Sequence, residues 1–305
     1  PLRIPDILRI HKIFKEGEYN KIIVSTEGPM GLAALWLKYA YSVPAYFYLH
    51  TDWMMFAEKT LKLKNDNLDN FRRILRTFYK AFDGIFVLNN EHKKWLTGKD
   101  MGFNSSKVFL TSHWVEEIFK PHKINKEEIF GVSSTTPVIL FSGRLSEEKG
   151  VMDIPEIMNI VKQKYPDTKI AFAGIGPKEN QLKTLLPDAI FLGWVDHTIL
   201  PEVYSAADIL VLPSRFDTFG CVVLEALSCG LPVIAYNNKG PKDIINNGLN
   251  GYLVKNETEM AQKIIELISN PLLLNLFRNQ SLLRAYEFKP DIIMKQFVND
   301  INSAA

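Results

Sequence analysis

Cysteine is scarce in this chain. The two present, Cys221 and Cys229, fall one turn to either side of Glu225 on what reads as a single helix. Two thiols so placed cannot bond to each other, so no disulfide framework exists. They read as reduced, small packing residues, which fits a cytoplasmic setting. Long apolar runs are also missing. The nearest approach to a membrane span, residues 31–49, is broken by Lys38 and Pro44 and reads as a helix followed by a strand. Charge of one sign is missing too: 36 Lys and Arg face 34 Asp and Glu, a net charge of +2, which gives no polycationic face for nucleic acid. Of the histidines, His11, His92, His113, His122 and His197 show no ligand spacing, so no protein-ligated metal site is expected. No signal-peptide pattern opens the chain. It begins at Pro1 without a methionine and reads as a piece of a longer protein or a processed chain.

What is present is an alternation of apolar strands and helical patterns. The chain has 305 residues and is 47% apolar, enough for two cores. Strand-like runs are expected at 21–25, 44–49, 84–89 and 107–111, with helices near 29–41, 68–82 and 90–97. A second series is expected at 138–143, 169–174, 189–193, 208–213, 232–236 and 251–254. Continuous apolar strands separated by helices argue for parallel, doubly wound sheets. The polar segment 120–137, with its Ser/Thr run and closing proline, marks the expected boundary. Residues 271–304 read as helical with a break at Lys289-Pro290.

One stretch carries the most chemistry. Residues 213–233 read PSRFDTFGCVVLEALSCGLPV and follow a buried-type strand. Phe219 and Gly220 open an apolar helix there, Asp217 sits in the loop before it, and Glu225 lies more than a turn inside. A helix N-terminus at the carboxyl end of a parallel strand is a ready anion site, because its first N–H groups and its dipole face outward. Gly220 lets a large anion approach the backbone. A carboxylate to each side can accept hydrogen bonds from sugar or ribose hydroxyls. Carboxylates at this spacing are common on solvated helices, so the weight rests on the whole block.

That block resembles the nucleotide-sugar motif of the family 4 (group 1) retaining glycosyltransferases, which share the GT-B fold. The family's Glu-x7-Glu is Asp217-x7-Glu225 here, and the shorter Asp217 draws the first carboxylate back by about one C–C bond. The resemblance implies two doubly wound Rossmann-like domains: an acceptor-side domain at 1–125, a nucleotide-sugar-binding domain at 136–289 and a crossover helix at 290–305. The family's opening strand and Gly-rich loop are not found, so the N-terminal sheet is expected to be incomplete.

Other elements extend the resemblance. GRLSEEKG at 143–150 is similar to the family's phosphate-binding turn and implies Gly143, Arg144 and Lys149 at the donor diphosphate. Arg supplies a fork of donors and Lys a point charge, which can neutralise a leaving diphosphate without a metal. AGIGP at 173–177 contributes Gly174, and GWVD at 193–196 places Val195 near the nucleobase. Thr218, Phe219 and Gly220 are implied at the diphosphate, Asp217 at the transferred sugar and Glu225 at the ribose. YLHTDW at 48–53 ends a strand, where ligands of open α/β sheets bind, and implies His50 at the sugar. A lone histidine is more often structural. TEGPMG at 26–31 resembles a turn of lipid-directed members. Residues 238–243 and 112–121 depart from the family pattern.

The segment 68–82 sets Arg72, Arg73, Arg76 and Lys80 beside Phe71, Leu75, Phe78 and Phe82. Such a helix lies on an anionic membrane or packs on a core with a basic outer face. The leading expectation is a retaining hexosyltransferase that needs no cofactor beyond its nucleotide-sugar donor, with a lipid or glycan acceptor and peripheral membrane contact. Two alternatives stay open: a nucleotide-sugar epimerase of the same fold, and a non-catalytic nucleotide-sugar-binding or scaffold half.

Overall fold

The computed structural model describes residues 5–59 and 61–303. These form two compact units. One takes the chain through Ser112 together with Met294 onward, and the other is His113–Ile293.

The first unit runs α1 (Ile7–Glu16), β1 (Ile22–Val24), α2 (Pro29–Tyr41), β2 (Ala45–Leu49), α3 (Trp53–Lys59), α4 (Asn65–Lys80), β3 (Gly84–Val87), α5 (Asn90–Thr97) and β4 (Val108–Leu110). Its four strands lie in chain order, all parallel. The alternation of side chains along each strand divides the residues between two faces. Phe47, Leu49, Ile85, Val87 and Val108 pack with Leu75 and Tyr79 of α4. Tyr46 and Phe86 point the other way and pack with Phe297 and Ile301 near the chain's end. Lys21 Nζ ties the same end down by donating to Asn302 Oδ1 at 3.0 Å. β1 is an edge strand among the described residues.

The second unit runs α6 (Lys126–Phe130), β5 (Val138–Ser142), α7 (Ile154–Lys164), β6 (Lys169–Ala173), α8 (Glu179–Leu185), β7 (Ile190–Gly193), α9 (Leu200–Ala206) and β8 (Ile209–Leu212). It continues with α10 (Cys221–Ser228), β9 (Val233–Tyr236), α11 (Pro241–Ile244), β10 (Gly251–Val254), α12 (Glu257–Ile268) and α13 (Pro271–Tyr286). Helix α14 (Pro290–Ser303) starts here and passes into the first unit. The six strands are parallel in the order β10-β9-β8-β5-β6-β7. Two consecutive halves thus wind outward from β5 and β8, the arrangement that opens a ligand crevice at their carboxyl ends. Every residue of β5, β8 and β9 is buried, as strands covered on both faces must be.

Three helices were not expected from the sequence. α1 buries no residue, and its signal was a cap: Asp6 accepts from Arg9 N at 2.9 Å. α3 is a short helix after the HTD turn. α6 lies inside the polar segment 120–137 and is fixed from outside its own sequence. Lys126 Nζ lies 2.6 Å from buried Asp208, which also accepts from Val138 N and pairs with Arg278. That carboxylate spends its oxygens on three distant partners, which is what makes its burial tolerable.

Candidate functional site

The loops that follow β5, β6, β7 and β8 converge at the switch point of the second sheet. After β5 the chain passes Gly143 and Arg144 into a short turn, Glu147–Lys149, and Gly150 follows with φ +69°. A Cβ on Gly150 would fall 2.0 Å from Pro213 O, so only glycine lets this loop seat against the end of β8. Gly220 caps α10 with φ +90°, a left-handed conformation that favours glycine, and a Cβ there would press on Val223 and Pro241 at 3.3–3.4 Å.

A cavity of about 600 Å³ lies at these strand ends. Its walls include Gly143, Arg144, Gly174, Val195, Val222 and Glu225. Five of the expected site residues thus line one space. Two more meet each other on the loops after β5 and β8: Lys149 Nζ is 2.8 Å from Asp217 Oδ1, while Asp217 Oδ2 is buried and accepts no hydrogen bond among the described residues. Thr218, Phe219 and Gly220 join Asp217 to α10. The ring of Phe219 is buried and meets His113 and Phe288 edge-on, so its backbone alone is left to face a ligand.

Glu225 is the electrostatic oddity of the site. Burial raises its pKa above the usual carboxylate range, against the hydrogen bond from Tyr204 that lowers it. Tyr204 Oη stands 2.9 Å from Glu225 Oε2 and 3.0 Å from Ser142 Oγ. His50 belongs to the first unit, just past β2, with its ring 4.3 Å from that of Tyr48. Burial lowers its pKa, which favours the neutral imidazole. Among the described residues, no cluster of side chains suited to a metal ion occurs.

The profile of the family described as glycosyl transferases, group 1 matches residues 122–284. The chain belongs to that family. An uncharacterized glycosyltransferase of Methanocaldococcus jannaschii is 30% identical over 207 residues, covering 65% of this chain and 51% of that protein. The alpha-monoglucosyldiacylglycerol synthase of Streptococcus pneumoniae is 24% identical over 276 residues, covering 85% of this chain and 62% of that one. Among solved structures, Anabaena HepE in complex with UDP superposes with a TM-score of 0.82 at 17% identity, over 97% of this chain and 82% of that one. The chain therefore spans about half the length of the Methanocaldococcus relative, and its fold is the GT-B fold, with two parallel-sheet α/β domains.

Within this group 1 chain, sequence reasoning missed Tyr204 and Ser142. Both sit among apolar neighbours and read as core. Tyr204 is fully buried, and a buried tyrosine needs a partner for its hydroxyl. The partner here is Glu225, 21 positions on in sequence. Arg215 was also passed over, as one more charge in a loop. It pairs with Asp153 and Glu257.

Proposed function

We propose that this chain moves a hexose from a nucleotide diphosphate sugar to an acceptor with retention of configuration. The observation that carries this is the common cavity at the switch point, lined by Val195, Glu225, Gly143 and Arg144, with Lys149 and Asp217 paired on the loops that follow β5 and β8. In this reading the nucleobase lies against Val195, and the ribose hydroxyls donate to Glu225. The diphosphate meets Arg144, Lys149 and the N-terminus of α10. Asp217 then offers its second oxygen to a hydroxyl of the transferred sugar. As the bond to phosphate breaks, positive charge grows on the ring and negative charge on the diphosphate. The two cations stabilise the leaving group in a partly dry site, and Asp217 orients the ring against it. No protein-bound metal or cofactor is assigned a role.

A lipid acceptor is the second reading, and the first unit favours it. Residues 1–112 and 294–305 carry 18 Lys and Arg against 12 Asp and Glu, whereas the rest carries 18 against 22. On α4, Ile74 is 66% exposed next to Arg73. No described helix is long and apolar enough to cross a membrane, so contact would be peripheral.

The test is a screen of nucleotide sugars for thermal stabilisation, followed by product analysis of whichever donor binds. Transfer with the anomeric configuration kept supports the proposal. Isomerisation of the sugar on its nucleotide would make the chain an epimerase, and binding without turnover would make it a sugar-nucleotide-binding half.

A further inference from the structure

Two ion pairs of opposite polarity join the same two loops. Lys149 of the β5–α7 connection reaches Asp217 of the β8–α10 connection at 2.8 Å. Four residues further along the first loop stands Asp153, and two residues back along the second stands Arg215, with Arg215 Nη1 2.8 Å from Asp153 Oδ2. Arg215 is gripped further. Its Nη2 lies 3.0 Å from Glu257 Oε1 at the start of α12. Its guanidinium sits 4.7 Å from the centre of the Tyr236 ring, and the Tyr236 hydroxyl donates to the same Asp153 oxygen at 2.8 Å. A planar fork held by two carboxylates and an aromatic face has little freedom left.

We propose that Arg215 is a positioning residue: it clamps the 213–220 loop to the 144–153 loop so that Asp217 and Lys149 stay in register. The inference rests on the function proposed above for those two. A diphosphate that draws Lys149 toward itself competes with Asp217 for the same ammonium. The Lys149–Asp217 pair therefore cannot hold the loops together while donor is bound. The Arg215–Asp153 pair has no such competitor, since the proposed function gives neither residue a donor contact and each is already held by a further partner, Glu257 and Tyr236. It keeps the two loops in place while Lys149 changes partner.

Arg215 is 53% exposed, so its loss should leave the fold standing. Hydrogen exchange of the 305-residue chain tests the clamp without any ligand. In Arg215→Ala, amides of 214–220 should exchange roughly tenfold faster, while those of β5 and α10 keep their wild-type rates. Arg215→Lys, which can reach one carboxylate but cannot stack as a plane, should fall between. Asp153→Ala combined with Arg215→Ala should add nothing to Arg215→Ala alone. Unchanged exchange in 214–220, or a rise spread over the whole unit, overturns the clamp.

Nucleotide release from UDP-glucose and GDP-mannose gives the functional half, with Asp217→Asn as comparator. Arg215→Ala should lower kcat by about tenfold with KM for the donor held within about twofold, the signature of a lost transition-state interaction. If Asp217→Asn loses turnover and Arg215→Ala keeps it, the clamp is wrong and the proposed function stands. If Asp217→Asn keeps full turnover, the role given to Asp217 falls and the clamp's purpose with it.

Discussion

Lys149 and Asp217 lie 68 residues apart in sequence and 2.8 Å apart in the fold. Each was read from the sequence as contacting the donor independently, and instead each occupies the other. One carboxylate oxygen holds the ammonium and the other is buried without a donor among the described residues. A hydroxyl of a bound sugar would satisfy that second oxygen, and a buried acceptor left without one is costly.

Replacing Lys149 with Ala is expected to weaken nucleoside diphosphate binding by about 1.5–3 kcal/mol, the range for hydrogen bonds to charged groups. Asp217→Asn should do the opposite of a simple deletion. It loosens the hold on Lys149, so affinity for the free nucleotide should stay level or rise by about threefold, while turnover of the full donor falls. Calorimetry with UDP and GDP, beside turnover with the full donor, checks both. Equal affinity losses in the two variants would show that the pair acts only as a structural tie.

The sheets were legible in the sequence because their signal is local. Runs such as VILFS and ILVL are buried on both faces and have no polar phase to confuse with a surface strand. The helix after Gly220 was legible for the same reason, together with a glycine whose φ is +90°. Partnerships were not legible. Nothing near Lys126 announces that Asp208 will hold it, and nothing near Tyr204 announces Glu225. Long-range pairing depends on which loops the topology brings together, and a single sequence does not display that. α1 was legible too, since Ile7, Ile10 and Phe14 recur at helical spacing after the Asp6 cap, although the helix buries no residue fully.

Glu225→Gln should separate function from stability. Burial is the main cause that raises the Glu225 pKa, with the Tyr204 hydrogen bond opposing it. A carboxyl whose folded pKa lies above its unfolded value contributes stability below the ordinary value of about 4.5, and that contribution is lost as pH rises through the folded value. At neutral pH the ionised group is therefore a burden that Gln does not carry. The Tm of Glu225→Gln minus that of the wild type should be near zero at pH 4 and become increasingly positive as pH rises through the folded value. Nucleotide affinity should fall in the same variant. A Tm difference that shrinks with rising pH would contradict the assigned direction.

Membrane contact by the first unit is expected to depend on α4. Ile74 is exposed beside Arg72 and Arg73, and Arg72 is already engaged by Asp69 and Asp100. Arg73 is thus the better candidate for a lipid headgroup. Flotation with vesicles containing anionic phosphatidylglycerol should recover the chain, and recovery should fall with added salt. Arg73→Glu together with Ile74→Ser should abolish it. Equal recovery with neutral phosphatidylcholine vesicles would rule out the electrostatic contact.

Tyr204→Phe offers the finest test of the ribose assignment. The Tyr204 hydroxyl lies between Glu225 Oε2 and Ser142 Oγ, and it sits in a fully buried side chain whose pKa burial and Glu225 push well above the ordinary range. It therefore remains a donor at any accessible pH. A single proton cannot serve both neighbours at once, and the carboxylate is the stronger acceptor. Glu225 is held by this bond from one side, so its remaining lone pairs can be aimed at a ligand. Phenylalanine fills the same volume but removes the donor, so the core should stay packed while Glu225 loses its orientation. Binding of whichever of UDP and GDP the wild type binds should weaken by about tenfold, the ~1.4 kcal/mol of one such hydrogen bond. Binding of its 2′,3′-dideoxy analogue, which has no ribose hydroxyls to offer Glu225, should be equally weak in wild type and variant. A purely structural role for Tyr204 would instead lower both affinities by the same factor. Calorimetry with the two nucleotides against the two proteins forms a closed cycle, and its coupling energy measures how far Tyr204 acts through Glu225.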